Sequence, residues 1–283
     1  MLNKAYVEIT NQCNLSCVFC PKTKRAPRCM TTAEFSAVAE ALRGHVKFLY
    51  LHVMGEPLSH PRLDEILDIA EEKEFRVCIT TNGTLLGSRG EVLLRHGSVL
   101  HKVSVSLHAF EGGKAPMTME DYLNNAWDFC DALRQKGTYC ALRLWNEGGA
   151  EERNGEILAF LEQKIGVPPM ELPVTRSRSR VLAERLFLEM ESKFEWPDLE
   201  ARETGAEFCF GLRDQMGVLC DGTVVPCCLD HEGAVPLGNL FTTPLTDILN
   251  SPRAKAIYDG FSNRTPSEDL CRRCGFATRF NKG

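Results

Sequence analysis

Residues 11–20 of this 283-residue chain read Asn11-Gln12-Cys13-Asn14-Leu15-Ser16-Cys17-Val18-Phe19-Cys20. The stretch spaces three thiols as C-x₃-C-x₂-C, directly after an apolar run at 5–9 that predicts a strand. Three cysteines this close on one loop can bind three corners of a cubane iron–sulfur cluster. The fourth iron then keeps an open coordination position, and an open position is where a metal centre carries out chemistry.

Two alternatives exist for this first thiol group. Cys29 could supply a fourth ligand, which would give a closed cluster that only transfers electrons. A zinc site is the second alternative, because zinc also binds clustered cysteines.

Composition favours metal ligands over disulfide bonds. The chain has thirteen cysteines in 283 residues, short of the roughly 8–10% that marks a disulfide scaffold. It begins Met1-Leu2-Asn3-Lys4 and shows no secretory signal, so we expect a cytoplasmic protein in which thiols stay reduced.

Charge and hydropathy exclude two classes of partner. Lys and Arg total 33 against 38 Asp and Glu, a net charge of −5, and the isoelectric point is about 5.9. A nucleic-acid or anionic-membrane surface would be basic, so we expect neither partner. Mean hydropathy is −0.19, and no apolar run approaches the roughly 18 residues of a membrane-spanning helix.

Alternating patterns predict the fold class. Helical patterns at 31–43, 61–73, 119–136 and 151–164 lie between apolar runs at 5–9, 48–53, 76–80, 103–107 and 140–144, with a candidate sixth strand at 172–175. The first helix opens on a capping box formed by Thr31 and Glu34. Alternating strands and helices imply right-handed crossovers and a parallel sheet. Six units predict an α/β fold that is an open, partial (β/α)₆ TIM-like barrel.

The pattern changes in the last third of the chain. Asp221-Gly222 between two apolar runs predicts a β-hairpin, and residues 244–259 predict a helix. Six cysteines also lie at 209–274. We therefore expect a barrel at 1–180, a linker containing a strand at 181–208 and a small hairpin-plus-helix iron–sulfur domain at 209–283.

The first thiol group resembles that of the radical S-adenosylmethionine (SAM) superfamily. The resemblance implies a [4Fe-4S] cluster on Cys13, Cys17 and Cys20 whose open iron chelates the amino and carboxylate groups of SAM. It also implies an external one-electron reductant of the flavodoxin or ferredoxin type. Reductive cleavage of SAM would yield methionine and a 5′-deoxyadenosyl radical that abstracts hydrogen from a substrate. Phe19 matches the aromatic position that packs near adenine in the family.

Further motifs resemble the family's SAM-binding elements. Met54-Gly55-Glu56-Pro57 is similar to the GGEP element, whose backbone binds the SAM amino group, and it departs from that element at Met54. The implied SAM contacts are Gly55, Glu56, Asn82, Ser106 and Arg143. They lie at or next to the carboxyl ends of consecutive predicted strands, where parallel barrels build their sites. Taken singly, Asn82-Gly83 also fits a turn and Arg143 a structural ion pair.

The second thiol group reads Cys209-x₁₂-Gly222-x₄-Cys227, followed by Cys271-x₂-Cys274. It resembles the opening of a SPASM domain, in the shortened form called Twitch that holds one auxiliary [4Fe-4S] cluster. The layout is similar to that of the radical SAM dehydrogenases of aminocyclitol biosynthesis. A Cys₄ zinc site is the alternative, and Cys228 is an alternative ligand to Cys227.

Three functions follow from these resemblances. The first is a SAM-dependent dehydrogenase whose auxiliary cluster accepts an electron from the substrate radical. The second is a peptide or protein maturase that forms crosslinks or formylglycine, and the third is a non-enzymatic iron–sulfur or zinc module. Cys13 leaves little room for a preceding leader-binding domain, which favours a small-molecule substrate. Candidate acid–base residues are His52, His108 and Asp230.

Overall fold

The computed structural model of the protein describes residues 2–113, 115, 117–149, 151–176 and 178–281. The chain forms two compact units, and neither is a continuous segment. Unit 1 comprises Met1–Gln12, Thr23–Gly55 and Phe194–Gly283, and unit 2 comprises Cys13–Lys22 and Glu56–Lys193. The sequence-based boundaries at 180 and 208 stay a prediction.

Ten strands lie in the described ranges. They are β1 (Lys4–Val7), β2 (Phe48–Tyr50), β3 (Arg76–Thr81), β4 (Leu100–Ser106), β5 (Tyr139–Glu147), β6 (Ser179–Ala183), β7 (Leu186–Ser192), β8 (Gln215–Val218), β9 (Thr223–Val225) and β10 (Gly238–Asn239).

The same ranges contain nine α-helices, with 3₁₀ turns at Pro57–Ser59, Pro169–Glu171 and Ala277–Phe280. The α-helices are α1 (Thr32–Leu42), α2 (Leu63–Glu72), α3 (Leu86–Arg95), α4 (Ala109–Gly112), α5 (Met119–Gln135), α6 (Asn154–Ile165), α7 (Leu245–Leu249), α8 (Pro252–Ser262) and α9 (Asp269–Arg272). No helix of the described chain is long and apolar enough to cross a membrane.

The strands of unit 1 follow the order β10-β9-β8-β1-β2. Strand β1 is parallel to both β8 and β2, whereas β9 is antiparallel to β8 and β10. The hairpin predicted at Asp221-Gly222 is confirmed as the β8–β9 connection. Gly222 has φ +82° there, and a Cβ at this position would lie 2.7 Å from the Phe241 ring. Only glycine suits such a turn.

The strands of unit 2 follow the order β3-β4-β5-β7-β6. Strands β3, β4, β5 and β7 are parallel, and β6 pairs antiparallel with β7 at the edge. The sixth strand expected at 172–175 is therefore wrong: Val174 makes only an isolated bridge with Arg180. Pro173 removes a backbone donor from that segment, whereas β7 supplies the alternating buried Leu186 and Leu188 that a core strand needs.

The unit 2 sheet has one apolar and one polar face. Because paired residues in a parallel sheet point to the same side, the strand register defines rows across it. One row joins Ser106, Arg143 and Glu189, and another joins Thr80 with Ser104. Parallel sheets are normally apolar on both faces, so this polar face marks a candidate site.

One helix of the structure has no counterpart among the predicted helices, and one predicted helix is divided in two. Helix α3 was not predicted, because Gly87 and Gly90 weaken its helical pattern. The helix expected over 244–259 is two helices, α7 and α8. Pro252 begins α8 and Ser251 caps it, accepting a hydrogen bond from the Ala254 amide. The capping box of Thr31 and Glu34 at α1 is confirmed.

Candidate metal centres and active site

The first thiol group lies on the loop Cys13–Lys22 of unit 2. Cys13 is exposed, Cys20 is partly buried and Cys17 is buried. The loop packs on α4: the Val18 amide donates to the Gly112 carbonyl at 3.0 Å. A Cβ at Gly112 would lie 2.3 Å from the Phe19 ring, so α4 has a glycine where this loop requires close approach.

The three thiols interact electrostatically. Burial, together with the neighbouring thiols Cys13 and Cys20, raises the pKa of Cys17 to about 12. Ionising such a group is unfavourable unless a cation is close, and a coordinated metal deprotonates a thiol outright. Three clustered thiols and the open position they leave are therefore a donor set that fits a three-ligand [4Fe-4S] cluster.

A buried carboxylate connects the segment after β2 to the first thiol group. Glu56 is 1% exposed, and burial raises its pKa. It accepts hydrogen bonds from the Asn82 amide at 2.7 Å, the Thr81 hydroxyl at 2.8 Å and the Leu58 amide at 3.0 Å. The Asn82 side chain in turn donates to the Cys13 sulfur at 3.7 Å. Glu56 and Asn82 thus position each other beside the thiols.

The rings of Phe19 and His108 pack against each other in a tilted arrangement, with centroids 5.0 Å apart. Burial lowers the pKa of His108. Its Nδ1 lies 3.2 Å from the Arg143 carbonyl oxygen and 3.4 Å from the Trp145 amide nitrogen. Tyr122 donates to the carbonyls of Asn82 and Ser106, which ties the ends of β3 and β4 together.

The polar face of the unit 2 sheet carries a charged cluster. The Arg143 guanidinium donates to Glu189 at 2.9 Å and to the Thr80 hydroxyl at 3.2 Å, and Lys102 also pairs with Glu189. Burial opposes ionisation of Glu189, but the charges of Arg143 and Lys102 lower its pKa overall. The ion-pair alternative for Arg143 is thus present in the structure.

Trp145 extends this polar face. The Arg143 guanidinium lies 4.5 Å from the centroid of the Trp145 ring. The indole N–H is buried and has no hydrogen-bond partner among the described residues. Sequence reasoning missed Lys102, Glu189 and Trp145, although charged residues alternating with apolar ones in a parallel strand were an available signal.

Unit 1 holds Gly55 in a confined backbone cradle. Gly55 has φ +77°, and a Cβ there would lie 2.3 Å from the Thr10 carbonyl oxygen and 2.8 Å from that of Gln12. Both the conformation and the contact require glycine. Nearby on β1 and β2, the His52 ring packs against Tyr6 and Tyr50, at 5.4 and 5.8 Å between centroids.

The second thiol group comes together in unit 1. Burial raises the pKa of Cys227, and the thiols of Cys228, Cys209 and Cys271 raise it further. Burial likewise raises the pKa of Cys271, with Cys209 and Cys274 contributing. The structure therefore brings together all four cysteines that the motif singles out.

An apolar shell surrounds these thiols. Cys274 belongs to a buried cluster against which Cys209, Cys227 and Cys228 pack, together with aromatic side chains. The aromatic members are Phe194, Trp196 and Phe276. Such a shell limits solvent access and sets the potential of an enclosed cluster, so the four-thiol donor set fits an auxiliary [4Fe-4S] cluster.

Three further cysteines have distinct surroundings. Cys228 is hydrogen-bonded to Tyr6, and burial raises its pKa to about 12. The Cys29 thiol donates a hydrogen bond to the Thr10 hydroxyl, and its sulfur accepts one from the Gln12 side-chain amide. The Cys220 thiol donates to Glu8 at 3.0 Å. These hydrogen-bond partners lie outside the two thiol groups, and Cys228 also interacts electrostatically with Cys209.

Asp230 is 2% exposed, and its carboxylate accepts hydrogen bonds from the backbone amides of Ala234 and Val235 at 2.7 and 2.9 Å. This arrangement stabilises a turn. In the described part of the chain, no three His, Cys, Asp or Glu side chains converge to hold a single metal ion. A cubane differs from a single ion, because each thiolate binds a different iron.

Two family models match the chain. The model of the radical SAM superfamily matches residues 7–146. The SPASM model, an iron–sulfur cluster-binding domain, matches residues 209–275. Each matched region contains one of the two thiol groups.

Two curated relatives illustrate the range of similarity. A GTP 3′,8-cyclase of Chlorobaculum tepidum is 32% identical over 112 residues, which is 38% of this chain and 33% of that protein. The chain therefore covers only a third of that relative. A probable GTP 3′,8-cyclase of Methanosarcina mazei is 24% identical over 270 residues, 82% of this chain and 79% of that protein.

Solved structures share the fold. BtrN in complex with AdoMet and 2-DOIA aligns with a TM-score of 0.58 at 17% identity, covering 97% of this chain and 93% of BtrN. Streptococcus suis SuiB bound to its precursor peptide SuiA aligns at 0.63 and 19%, covering 98% of this chain and 70% of SuiB. The predicted fold class, a partial barrel with a small C-terminal iron–sulfur region, is confirmed.

Proposed function

Since this chain belongs to the radical SAM superfamily and carries a C-terminal SPASM region, we propose that it oxidises its substrate by two electrons. Removal of a hydrogen atom leaves a carbon radical on the substrate. Formation of a carbonyl group then requires loss of one proton and one electron. When bound, the first cluster and SAM supply the 5′-deoxyadenosyl radical that removes the hydrogen atom.

The second thiol group carries this proposal. Cys209, Cys227, Cys271 and Cys274 form a four-thiol set inside an apolar shell. Four protein ligands leave no open iron, which suits electron transfer better than substrate binding. A cluster on these thiols would supply the acceptor for the substrate electron.

We assign SAM binding to the residues that match the family's motifs. Cys13, Cys17 and Cys20 would hold the cluster, and the Gly55 backbone would bind the amino group of SAM, because no side chain fits there. The remaining proposed contacts are Phe19, Glu56, Asn82, Ser106 and Arg143. The hydrogen bond from the Asn82 amide to Glu56 supports a positioning role for Glu56, and the Arg143 guanidinium is paired with Glu189.

The polar face of the unit 2 sheet is the proposed substrate-facing surface. Arg143, Lys102 and Glu189 form an ion-pair cluster there, and the Trp145 indole N–H adds a buried donor. A buried donor is stabilised by a ligand with acceptor groups. We infer a substrate rich in oxygen acceptors, and a small molecule satisfies this requirement.

Peptide modification is the second candidate function. The fold aligns with SuiB bound to a precursor peptide over 98% of the chain. A peptide also offers carbonyl acceptors, so the polar face alone does not discriminate between the two substrate classes. The external one-electron reductant, of the flavodoxin or ferredoxin type, is common to both proposals.

Metal analysis and SAM cleavage test the proposal. Anaerobically prepared protein should contain about eight irons per chain, as two cubanes require, and should form 5′-deoxyadenosine with SAM and a strong reductant. About four irons with one zinc would make the second thiol group structural and remove the proposed electron acceptor. Failure to cleave SAM would favour the non-enzymatic alternative.

Substrate class is tested on the same protein. Candidate small molecules and peptides are screened for stimulation of 5′-deoxyadenosine formation, with deuterium at the oxidisable position. Deuterium transfer into 5′-deoxyadenosine, with a product two mass units lighter than the unlabelled substrate, supports two-electron oxidation. A crosslinked peptide product would instead support the second candidate function, peptide modification.

A further inference from the structure

A buried carboxylate in unit 1 receives hydrogen bonds from three separate segments of the chain. Glu8, which directly follows β1, is 0% exposed. Two guanidinium nitrogens of Arg25 donate to its two oxygens at 2.8 and 2.6 Å. The Cys220 amide and thiol donate at 3.1 and 3.0 Å. The Met54 amide donates at 3.2 Å.

These five donors saturate the carboxylate. An ionised carboxylate accepts about four hydrogen bonds in good geometry, and its burial is tolerated only with a paired charge and complete hydrogen bonding. Arg25 supplies the paired charge, and its side chain is itself only 18% exposed. Among the described residues, none of these five donors belongs to a proposed cluster ligand, so cluster ligation does not explain the pair.

The Met54 amide immediately precedes Gly55. Gly55 is pressed against the carbonyl oxygens of Thr10 and Gln12. Two contacts therefore constrain the Met54–Gly55 backbone. The hydrogen bond to Glu8 fixes the Met54 amide, and the carbonyl oxygens of Thr10 and Gln12 restrict the position of Gly55. A backbone constrained in this way is pre-organised to bind a ligand, which lowers the entropy cost of binding.

We propose that Glu8 is a positioning residue for SAM, fixing the Met54–Gly55 backbone and linking it to the β8–β9 hairpin through Cys220. The inference rests on the proposed function, because it takes Gly55 as the contact for the SAM amino group. It also gives Cys220 a role: the thiol is a hydrogen-bond donor to Glu8 at the turn of the hairpin. The Glu8 carboxylate thus accepts hydrogen bonds both from Cys220 in the C-terminal region and from Met54 after β2.

The test removes the anchor and keeps the fold. In the double variant Glu8→Met/Arg25→Met, apolar side chains of similar length replace the ion pair, an exchange that is often close to neutral for stability. The Met54 amide then loses its acceptor. A single Glu8 substitution would instead leave Arg25 buried without its partner, and misfolding would obscure the result.

Ile257→Ala is the matched control. Ile257 is 1% exposed on α8 of unit 1, and its truncation leaves a cavity that lowers the melting temperature without touching Glu8. Four properties are measured in parent, double variant and control: melting temperature, iron content, SAM affinity by equilibrium dialysis, and amide hydrogen exchange of the peptide containing Met54.

We expect the double variant to retain its iron and to bind SAM at least about tenfold more weakly, the lower end of effects seen on removing outer hydrogen-bond partners. The Met54 amide should exchange faster in the double variant alone. The control should bind SAM like the parent, despite its lower melting temperature.

Parent-like SAM affinity in the double variant would overturn the inference and leave the proposed function intact. Loss of iron from the double variant would also overturn it, since Glu8 would then act on a cluster. If the parent itself fails to bind SAM, the proposed function falls, and the inference falls with it.

Discussion

The two thiol groups differ in how the chain assembles them. The first occupies one short loop, Cys13 to Cys20, which packs on α4 through Val18 and Gly112. The second comes from segments as far apart as Cys209 and Cys274 and sits within an apolar aromatic shell. Local spacing is thus sufficient for a three-ligand site, whereas the four-ligand site depends on tertiary folding.

This difference matches the chemistry proposed for each group. Cys13 is exposed, so the first group is open to a ligand, while each cysteine of the second group is at least partly buried. An enclosed cluster exchanges electrons but admits no substrate to its irons. The variants below are ordered by their expected effect on SAM cleavage, and each tests one side of this comparison.

The largest effect is expected from Cys17→Ala. Loss of one of three ligands should remove the first cluster, so iron should fall from about eight to about four per chain, and SAM cleavage should be abolished. Iron and sulfide analysis and chromatography of 5′-deoxyadenosine measure both. Cys130→Ala, a buried cysteine on α5, is the control and should keep all its iron. Persistent SAM cleavage in Cys17→Ala would contradict the assignment of the first group.

A large effect is also expected from Gly55→Ala, with Gly44→Ala as a matched control. Both glycines have nearly equal φ, +77° and +75°, but a Cβ at Gly44 meets no described atom within 4 Å. The positive φ costs roughly 1–2 kcal/mol at either position. Only Gly55→Ala adds a clash with two backbone carbonyls, so only it should also lose SAM affinity.

Melting temperature and SAM binding are compared for the two glycine variants. We expect at least about a tenfold weaker affinity for Gly55→Ala, equivalent to about 1.4 kcal/mol. Equal SAM affinities in the two variants would show that the Gly55 backbone is not a SAM contact.

Cys271→Ala should separate the two thiol groups. Removing a ligand of the second group should lower the iron content to about four per chain while SAM cleavage continues. Oxidised product should be lost, because the electron acceptor is missing. Product formation at the parent rate would exclude a role for the second group in electron transfer.

The smallest effect is expected from Cys228→Ala, compared with Cys227→Ala. Cys228 is hydrogen-bonded to Tyr6 and interacts electrostatically with Cys209, whereas both Cys209 and Cys271 interact with Cys227. Iron analysis should therefore show a parent-like content for Cys228→Ala and a loss of about four irons for Cys227→Ala. The reverse result would exchange their roles as ligands.

Most elements of the parallel sheet were predictable from periodicity. The first five strands and the helices α1, α2, α5 and α6 lie where apolar spacing placed them, within a few residues. The sixth strand was misplaced because residues 172–175 and β7 are both short apolar runs. The difference appears only in the sheet, where β7 pairs in parallel with β5 and becomes a core strand.

The candidate site was predictable to a lesser degree. Short-range motifs located the thiols and Gly55, since their spacing reports directly on ligand geometry and backbone conformation. The motifs did not reveal Glu8, whose partners Arg25, Met54 and Cys220 are distant in sequence. Nor did they pair Arg143 with Glu189, which becomes its neighbour only through strand register.

The sequence by itself determined the fold class, the first thiol group and the short motif that contains Gly55. Each depends on residues within a few positions of one another, where covalent geometry limits what the chain can do. The tertiary structure alone decided how the distant cysteines of the second group come together, why position 55 requires glycine, what supports Met54 and which charges lie on the polar face. Those outcomes depend on contacts between distant segments, and such contacts form only when burial of the apolar faces brings the strands and loops together.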